Sequence, residues 1–172
     1  LLPMILLTGA AGPCGADAAR AAELEVSIEI PQLDVAEYHR PYVAVWLENA
    51  DRTEIANLAV WYDVKKPNRE GETWLKDLRQ WWRRSGRELD LPIDGVSGPT
   101  RPVGQHRLSF RQDSPQLSAL EPGEYRLVVE AAREVGGREM IQIPLHWPPQ
   151  EAVAASAAGS RELGAVTLEV KP

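Results

Sequence analysis

Residues 42–62, YVAVWLENADRTEIANLAVWY, are two apolar runs joined by a short polar turn, which is the pattern of an antiparallel β-hairpin. Side chains alternate along a strand, so Tyr42, Ala44, Trp46 and Glu48 share one face of the first run and Val43, Val45 and Leu47 the other. The same period puts Ala56, Leu58, Val60 and Tyr62 on one face of the second run, and Ile55, Asn57, Ala59 and Trp61 on its opposite. Both faces are substantially apolar. Such a pair needs a second sheet against one side and further cover on the other, which restricts the chain to a layered β architecture.

The cover is expected from residues 74–84, WLKDLRQWWRR, where the apolar period changes from two to that of a helix. Thr73 can cap its start and Gly86 can end it. Trp46 and Trp61 are expected to lie together as the seat for Trp74, Trp81 and Trp82, chiefly as core. With Arg79 and Arg83 the same tryptophans are the candidate aromatic surface for a partner or a flavin. Further strands are expected at LEVSIEI (24–30), QHRLSF (105–110), EYRLVVEAAREV (124–135), REMIQIPL (138–145) and VTLEV (166–170). Gly136-Gly137 reads as a tight two-residue turn, and Pro144 marks an edge strand. Residues 87–104 and 148–163 read as long irregular loops. Seven strands and one inserted amphipathic helix favour an all-β, immunoglobulin-like antiparallel sandwich, with a small barrel as the alternative.

The 172 residues suffice for one ordinary domain and a terminal extension. Residues 1–22 combine an apolar run with a small-residue cleavage context and are expected to be the remnant of a secretory signal peptide, leaving residues 23–172 as one exported domain. Cys14 is the only cysteine, so neither an internal disulfide nor a cysteine-rich zinc site can form, and Pro13 before it fits lipidation poorly. No later apolar run approaches the roughly 18 residues of a membrane span. A net charge of -6, with no phosphate-binding glycine loop and no zinc-finger pattern, argues against a nucleic-acid partner.

Chemistry is less legible than architecture. His39, His106 and His146 are the weak candidates for metal ligands, but they are far apart and more naturally bond backbone at strand ends. Asp94, Arg101, His106, Glu130, Arg133 and Glu134 form the candidate polar cluster, a structural ion-pair network before a ligand site. Arg133 continues the side-chain parity of Tyr125, Leu127, Val129 and Ala131, so if buried it needs a carboxylate. Ser97 lacks the flanks of a hydrolase elbow, and neither Ser109 nor Thr100 forms a recognisable triad with His106.

Taken together, PYVAVWLEN (41–49), NLAVWYD (57–63), WLKDLRQWWR (74–83), SGPTRPVGQHRLSF (97–110) and PGEYRLVVEAAREVGGRE (122–139) resemble the DUF2271 family of predicted bacterial periplasmic proteins over nearly the whole exported domain. The resemblance implies export. Because some members are encoded near flavin transferases and PepSY-type membrane proteins, it also implies an envelope redox or iron-related setting. The expected function is a non-enzymatic periplasmic binding or accessory protein for a membrane-associated partner, without a cofactor, its contact surface on residues 87–104 and the exposed side of the 74–84 helix. The alternatives are a metal- or flavin-associated redox protein and, further off, a hydrolase.

Overall fold

The computed structural model describes residues 20–172; Cys14 and all but the last three residues of the expected signal remnant lie outside them. The described residues form nine strands: β1 (Glu23–Ile30), β2 (Tyr42–Asn49), β3 (Ile55–Tyr62), β4 (Ser97–Pro99), β5 (Gly104–Arg111), β6 (Gly123–Ala132), β7 (Arg138–Trp147), β8 (Val153–Ala158) and β9 (Ala165–Lys171). They make two sheets, of order β5-β1-β9-β8 and β4-β3-β2-β6-β7. Every pairing is antiparallel except the short parallel match of β4 to β3.

The principal core lies where the two sheets' apolar faces meet. Leu24, Val26, Ile28 and Ile30 of β1 and Val166, Leu168 and Val170 of β9 are buried with Val43, Val45 and Leu47 of β2 and Tyr125, Leu127, Val129 and Ala131 of β6. The unbroken alternation of these strands is what sends one whole set inward, each aliphatic side chain contributing about 1.5–3 kcal/mol. A second cluster covers the other face of the larger sheet, where Tyr42, Ala44, Trp46 and Val128 pack with Leu75, Leu78, Trp81, Leu91 and Val96. The hairpin is therefore buried on both faces.

Its two tryptophans do not share a face. Val45 pairs with Ala59 and Trp46 with Asn57, so Leu58 is an extra residue without an opposite partner, a β-bulge. One inserted residue reverses the parity of everything after it. Ala59 and Trp61 accordingly join Ala56 and Leu58 in the core between the sheets, while Val60 and Tyr62 turn outward beside Trp46.

The covering segment also departs from a single helix. Pro67–Asp77 coils as 3-10 turns interrupted at Asn68 and Arg69, whose φ angles are 55° and 58°, and a short α-helix, α1, occupies only Arg79–Arg84. Leu75, Leu78 and Trp81 recur every third residue, a spacing that a 3-10 coil aligns on one face, and all three are buried. Trp74 falls off that line and is 48% exposed, and Trp82 is half-buried. Thr73 caps nothing. The first free N–H groups of α1 are taken by the sheet instead, since Gln80 and Trp81 donate from the backbone to the Glu130 carboxylate at 3.1 and 2.8 Å.

Gly86 does not end the helix but begins another 3-10 turn, Gly86–Glu88. Its lack of a side chain is required by packing, because a Cβ there would stand 2.5 Å from the Trp81 ring. Gly86→Ala is expected to lower the urea midpoint by an amount corresponding to about 1–3 kcal/mol at unchanged slope. An unchanged midpoint would mean that Trp81 is free to move aside.

Two expected loops contain strands. Ser97–Pro99 of the 87–104 segment is β4, and Leu91 and Val96 of the same segment are buried in the outer cluster. Val153–Ala158 of the 148–163 segment is β8, an edge strand with Ala155 and Ala157 packed on the core. Gly136 and Gly137 do not form a two-residue turn either. Five residues separate Ala132 from its partner Arg138, and the left-handed conformation falls on Val135, with φ 51°.

Candidate functional site

The expected polar cluster separates into several places. Glu130 lies under the start of α1, with Arg138 Nε 3.9 Å from its carboxylate. Asp94 opens on a recess of about 310 Å³ beside Ile55 and Asn57. Arg101 and His106 do meet, across Trp61. The Arg101 guanidinium carbon is 5.2 Å from the centre of the Trp61 ring, and the His106 ring stands edge-on to it at 5.8 Å. This stack borders a groove of about 650 Å³ between β4 and β5.

The three histidines each have their own partner. His39 Nε2 is 2.8 Å from Glu37 and its Nδ1 3.7 Å from Glu134, His106 Nε2 is 2.7 Å from the Pro102 carbonyl, and His146 Nδ1 is 2.7 Å from Glu124. Among the described residues no three His, Cys, Asp or Glu side chains gather as a metal-binding group. Ser109 is odd-numbered from His106 along β5 and so projects to the other face, while Ser97 Oγ accepts the Ile93 backbone N–H at 2.9 Å.

Arg133 and Glu134 mark a concavity of about 800 Å³ at the end of the larger sheet where β2 and β7 begin and β3 and β6 finish. The connection from β1 supplies Tyr38, His39 and Arg40 to its wall, the segment after β3 supplies Asp63 and Lys66, and the 3-10 coil and α1 supply Trp74, Asp77 and Arg79. Five lysine or arginine side chains line it against three acids, although the chain as a whole is acidic. Its lip is apolar: Trp74 and Val135, the latter 74% exposed, stand on it.

The floor is built on one ion pair. Arg133 and Glu162 are 6% and 5% exposed in their side chains and bond at two points, Nε to Oε2 at 2.7 Å and Nη2 to Oε1 at 3.2 Å. The Gly137 N–H donates a third bond to Oε1 at 2.9 Å. Hydrogen bonding to Glu162 holds the Arg133 guanidinium even more firmly protonated than usual, against its burial. The double glycine is explained by this pair, since a Cβ on Gly136 would meet the guanidinium at 2.5 Å and one on Gly137 the Glu162 carboxylate at 2.8 Å. Val135, a β-branched residue at positive φ, carries the strain that the turn requires, as is common beside ligand sites.

Two buried polar atoms in this cleft have no hydrogen-bond partner, Arg133 Nη1 and Tyr38 Oη. Burial pushes the Tyr38 phenol up, while the charges of Arg133 and Arg40 pull the other way, so its hydroxyl stays protonated and available as a donor. Tyr42 Oη, by contrast, donates to the Gly71 carbonyl at 2.9 Å, and its burial pushes it up to about 12. Sequence reasoning placed Arg133 correctly in need of a carboxylate but found neither Glu162 nor Tyr38. The clue to both was the unexplained Gly136-Gly137 pair next to a charged residue of core parity.

The five candidate tryptophans divide accordingly. Trp46 and Trp81 are outer core, with Trp82 half-buried against them, Trp61 lies between the sheets, and only Trp74 presents its ring to the cleft and to solvent. Trp147, fully buried between the sheets, escaped notice in the sequence.

No described helix is long and apolar enough to cross a membrane. No curated protein and no solved structure matches the chain. Residues 23–165 match the family described as predicted periplasmic protein (DUF2271), a match that runs from β1 through β8 to the first residue of β9 and takes in the 3-10 coil and the whole cleft, and the chain belongs to that family of predicted periplasmic proteins.

Proposed function

We propose that the protein is a non-enzymatic periplasmic binding protein whose ligand seats in the cleft at the β2–β3–β6–β7 end of the larger sheet. The observation that carries this reading is the pair of buried donors without partners, Arg133 Nη1 and Tyr38 Oη, in one concavity. Leaving such donors unpaired costs about 1–3 kcal/mol each, a cost that a bound acceptor would remove. The volume of about 800 Å³ falls in the ordinary range of small-molecule sites, roughly 300–1,000 Å³. Strand ends supply a rigid base, and the exposed Trp74 ring supplies a flat apolar contact.

The same reading takes the two sheets as an immunoglobulin-like sandwich, with the site at one end as in other sandwiches that bind through their end loops. Tyr125 at the start of β6 supports it, since its hydroxyl lies 2.6 Å from the Glu121 carbonyl four residues upstream, in the manner of a tyrosine corner. Residues 1–22 as an export segment, and an accessory role beside a membrane-associated redox or iron-related partner, follow from the family resemblance and complete the proposal.

Ligand binding stabilises the folded chain by mass action. The small-molecule fraction of a periplasmic extract is expected to raise the melting temperature of the wild-type protein by several degrees and that of a folded Trp74→Asp variant by much less. Equal shifts in the two proteins, or none in either, would sink the reading.

A further inference from the structure

We infer that the cleft recognises an oxyanion, a carboxylate or phosphate group carried on a planar apolar body, with Arg133 Nη1 and Tyr38 Oη as its two donors and Trp74 against the body. This rests on the cleft being a ligand site and goes further by naming the chemistry it takes. Arg133 is the right group for the task. Its Nε and Nη2 are already bonded to Glu162, which holds the guanidinium plane in one orientation and leaves Nη1 as the edge without an acceptor. A side chain held in that way has its ordering entropy already spent before a ligand arrives. Tyr38 offers a neutral O–H donor from the opposite connection, between β1 and β2.

A cation would find no equivalent. Of the carboxylates in and under the cleft, Glu162 is engaged with Arg133, Asp63 with Lys66 at 3.6 Å and Glu134 with His39 at 3.7 Å, which leaves Asp77 on the wall as one carboxylate without a cation within 4 Å. Arg40 and Arg79 stand on the walls with no carboxylate within 4 Å, and the five lysine and arginine side chains of the lining outnumber its three carboxylates. The apolar component follows from the lip, where Trp74 and Val135 expose the area that a bare phosphate or acetate could not cover. Aromatic contact and charge-assisted hydrogen bonds are thus separated in space, which selects ligands having both parts.

The test is an NMR titration of the full chain with phenyl phosphate, benzoate, benzyl alcohol, benzylamine and inorganic phosphate. The Trp74 indole and the Gly136 and Gly137 amides are followed, with His146→Ala as a control at the other end of β7. Phenyl phosphate or benzoate is expected to shift these signals saturably and at least tenfold more tightly than benzyl alcohol, and the comparison of the two anions tells phosphate from carboxylate. Tyr38→Phe removes one oxygen from a connecting segment, and it should weaken the anionic probes about tenfold while leaving benzyl alcohol unchanged. Arg133→Lys, which keeps the charge but not the fork, should do the same. Benzyl alcohol or benzylamine binding as well as the anions would overturn the oxyanion assignment and leave the cleft a ligand site. Anion binding indifferent to both substitutions would overturn it as well, and so would silence from every probe.

Discussion

A chain carrying Glu162→Ala is expected to be about 3–5 kcal/mol less stable than the wild type. The Glu162 carboxylate is buried, and it takes three hydrogen bonds, two from Arg133 and one from the Gly137 backbone. Removing it leaves a guanidinium that cannot deprotonate in a place with almost no water, with Nη1 already unpartnered. The attraction between the two charges is not what makes the loss large. Desolvation of the pair offsets most of that attraction, so replacing both members with Arg133→Met and Glu162→Leu is expected to recover most of the stability lost by the single change. Urea denaturation of the wild type, the two single variants and the double variant forms the cycle that decides this. A Glu162→Ala loss below about 1 kcal/mol would mean that the pair is solvated in solution.

How far the fold could be read from the chain depended on whether a strand kept its alternation. β1, β2 and β6 do, and their inward sets, from Leu24 through Ile30 and from Tyr125 through Ala131, were legible residue by residue. β3 was not, because the bulge at Leu58 adds one residue whose only trace is in the pairing with β2. Parity reasoning therefore placed Trp61 on the wrong face while placing Trp46 on the right one. β4 and β8 were hidden for different reasons. β4 has three residues, Ser-Gly-Pro, and exists only because β3 offers it a parallel edge, while β8 after Val153 is made of alanine and serine, which carry little strand preference of their own. The 74–84 segment failed by period, since a recurrence of three fits a 3-10 coil and an α-helix alike over so short a stretch.

The cleft was legible in part. Arg133 could be placed at the end of an inward face, and its need for a carboxylate follows from the cost of a lone buried charge. Its partner could not be named, because Glu162 is 29 residues away in a segment whose course is set by β8 and β9. Tyr38 lies in a connection without periodicity, and its hydroxyl acquires meaning only when the chain beyond β6 folds over it. Glu130 and Arg133 are three residues apart along β6 and its extension and so take opposite faces, Glu130 buried under α1 and Arg133 at the cleft, while Asp94 lies in the loop before β4.

Glu130 gives the second large effect and one with a distinctive pH dependence. Its carboxylate is fully buried and receives the Gln80 and Trp81 N–H groups, so Glu130→Ala strands two backbone donors at the start of α1 and is expected to destabilise the protein by about 2–5 kcal/mol. Burial raises the pKa of Glu130, and the two N–H bonds together with Arg138 and Arg83 only partly offset it. Between the ordinary carboxylate value and that raised value the folded chain holds a proton that the unfolded chain has lost. Stability therefore falls as pH rises through that window and stays lower above it. Glu130→Gln keeps an oxygen acceptor for the helix and has no charge to desolvate. It should cost less than the alanine change, and its deficit relative to the wild type should be largest in acid and shrink toward neutral pH. Denaturation midpoints of the wild type and Glu130→Gln across pH 4 to 8 test this directly, because lines that run parallel would show that Glu130 titrates no differently folded than unfolded, and that α1 rests on a solvated carboxylate rather than a buried one.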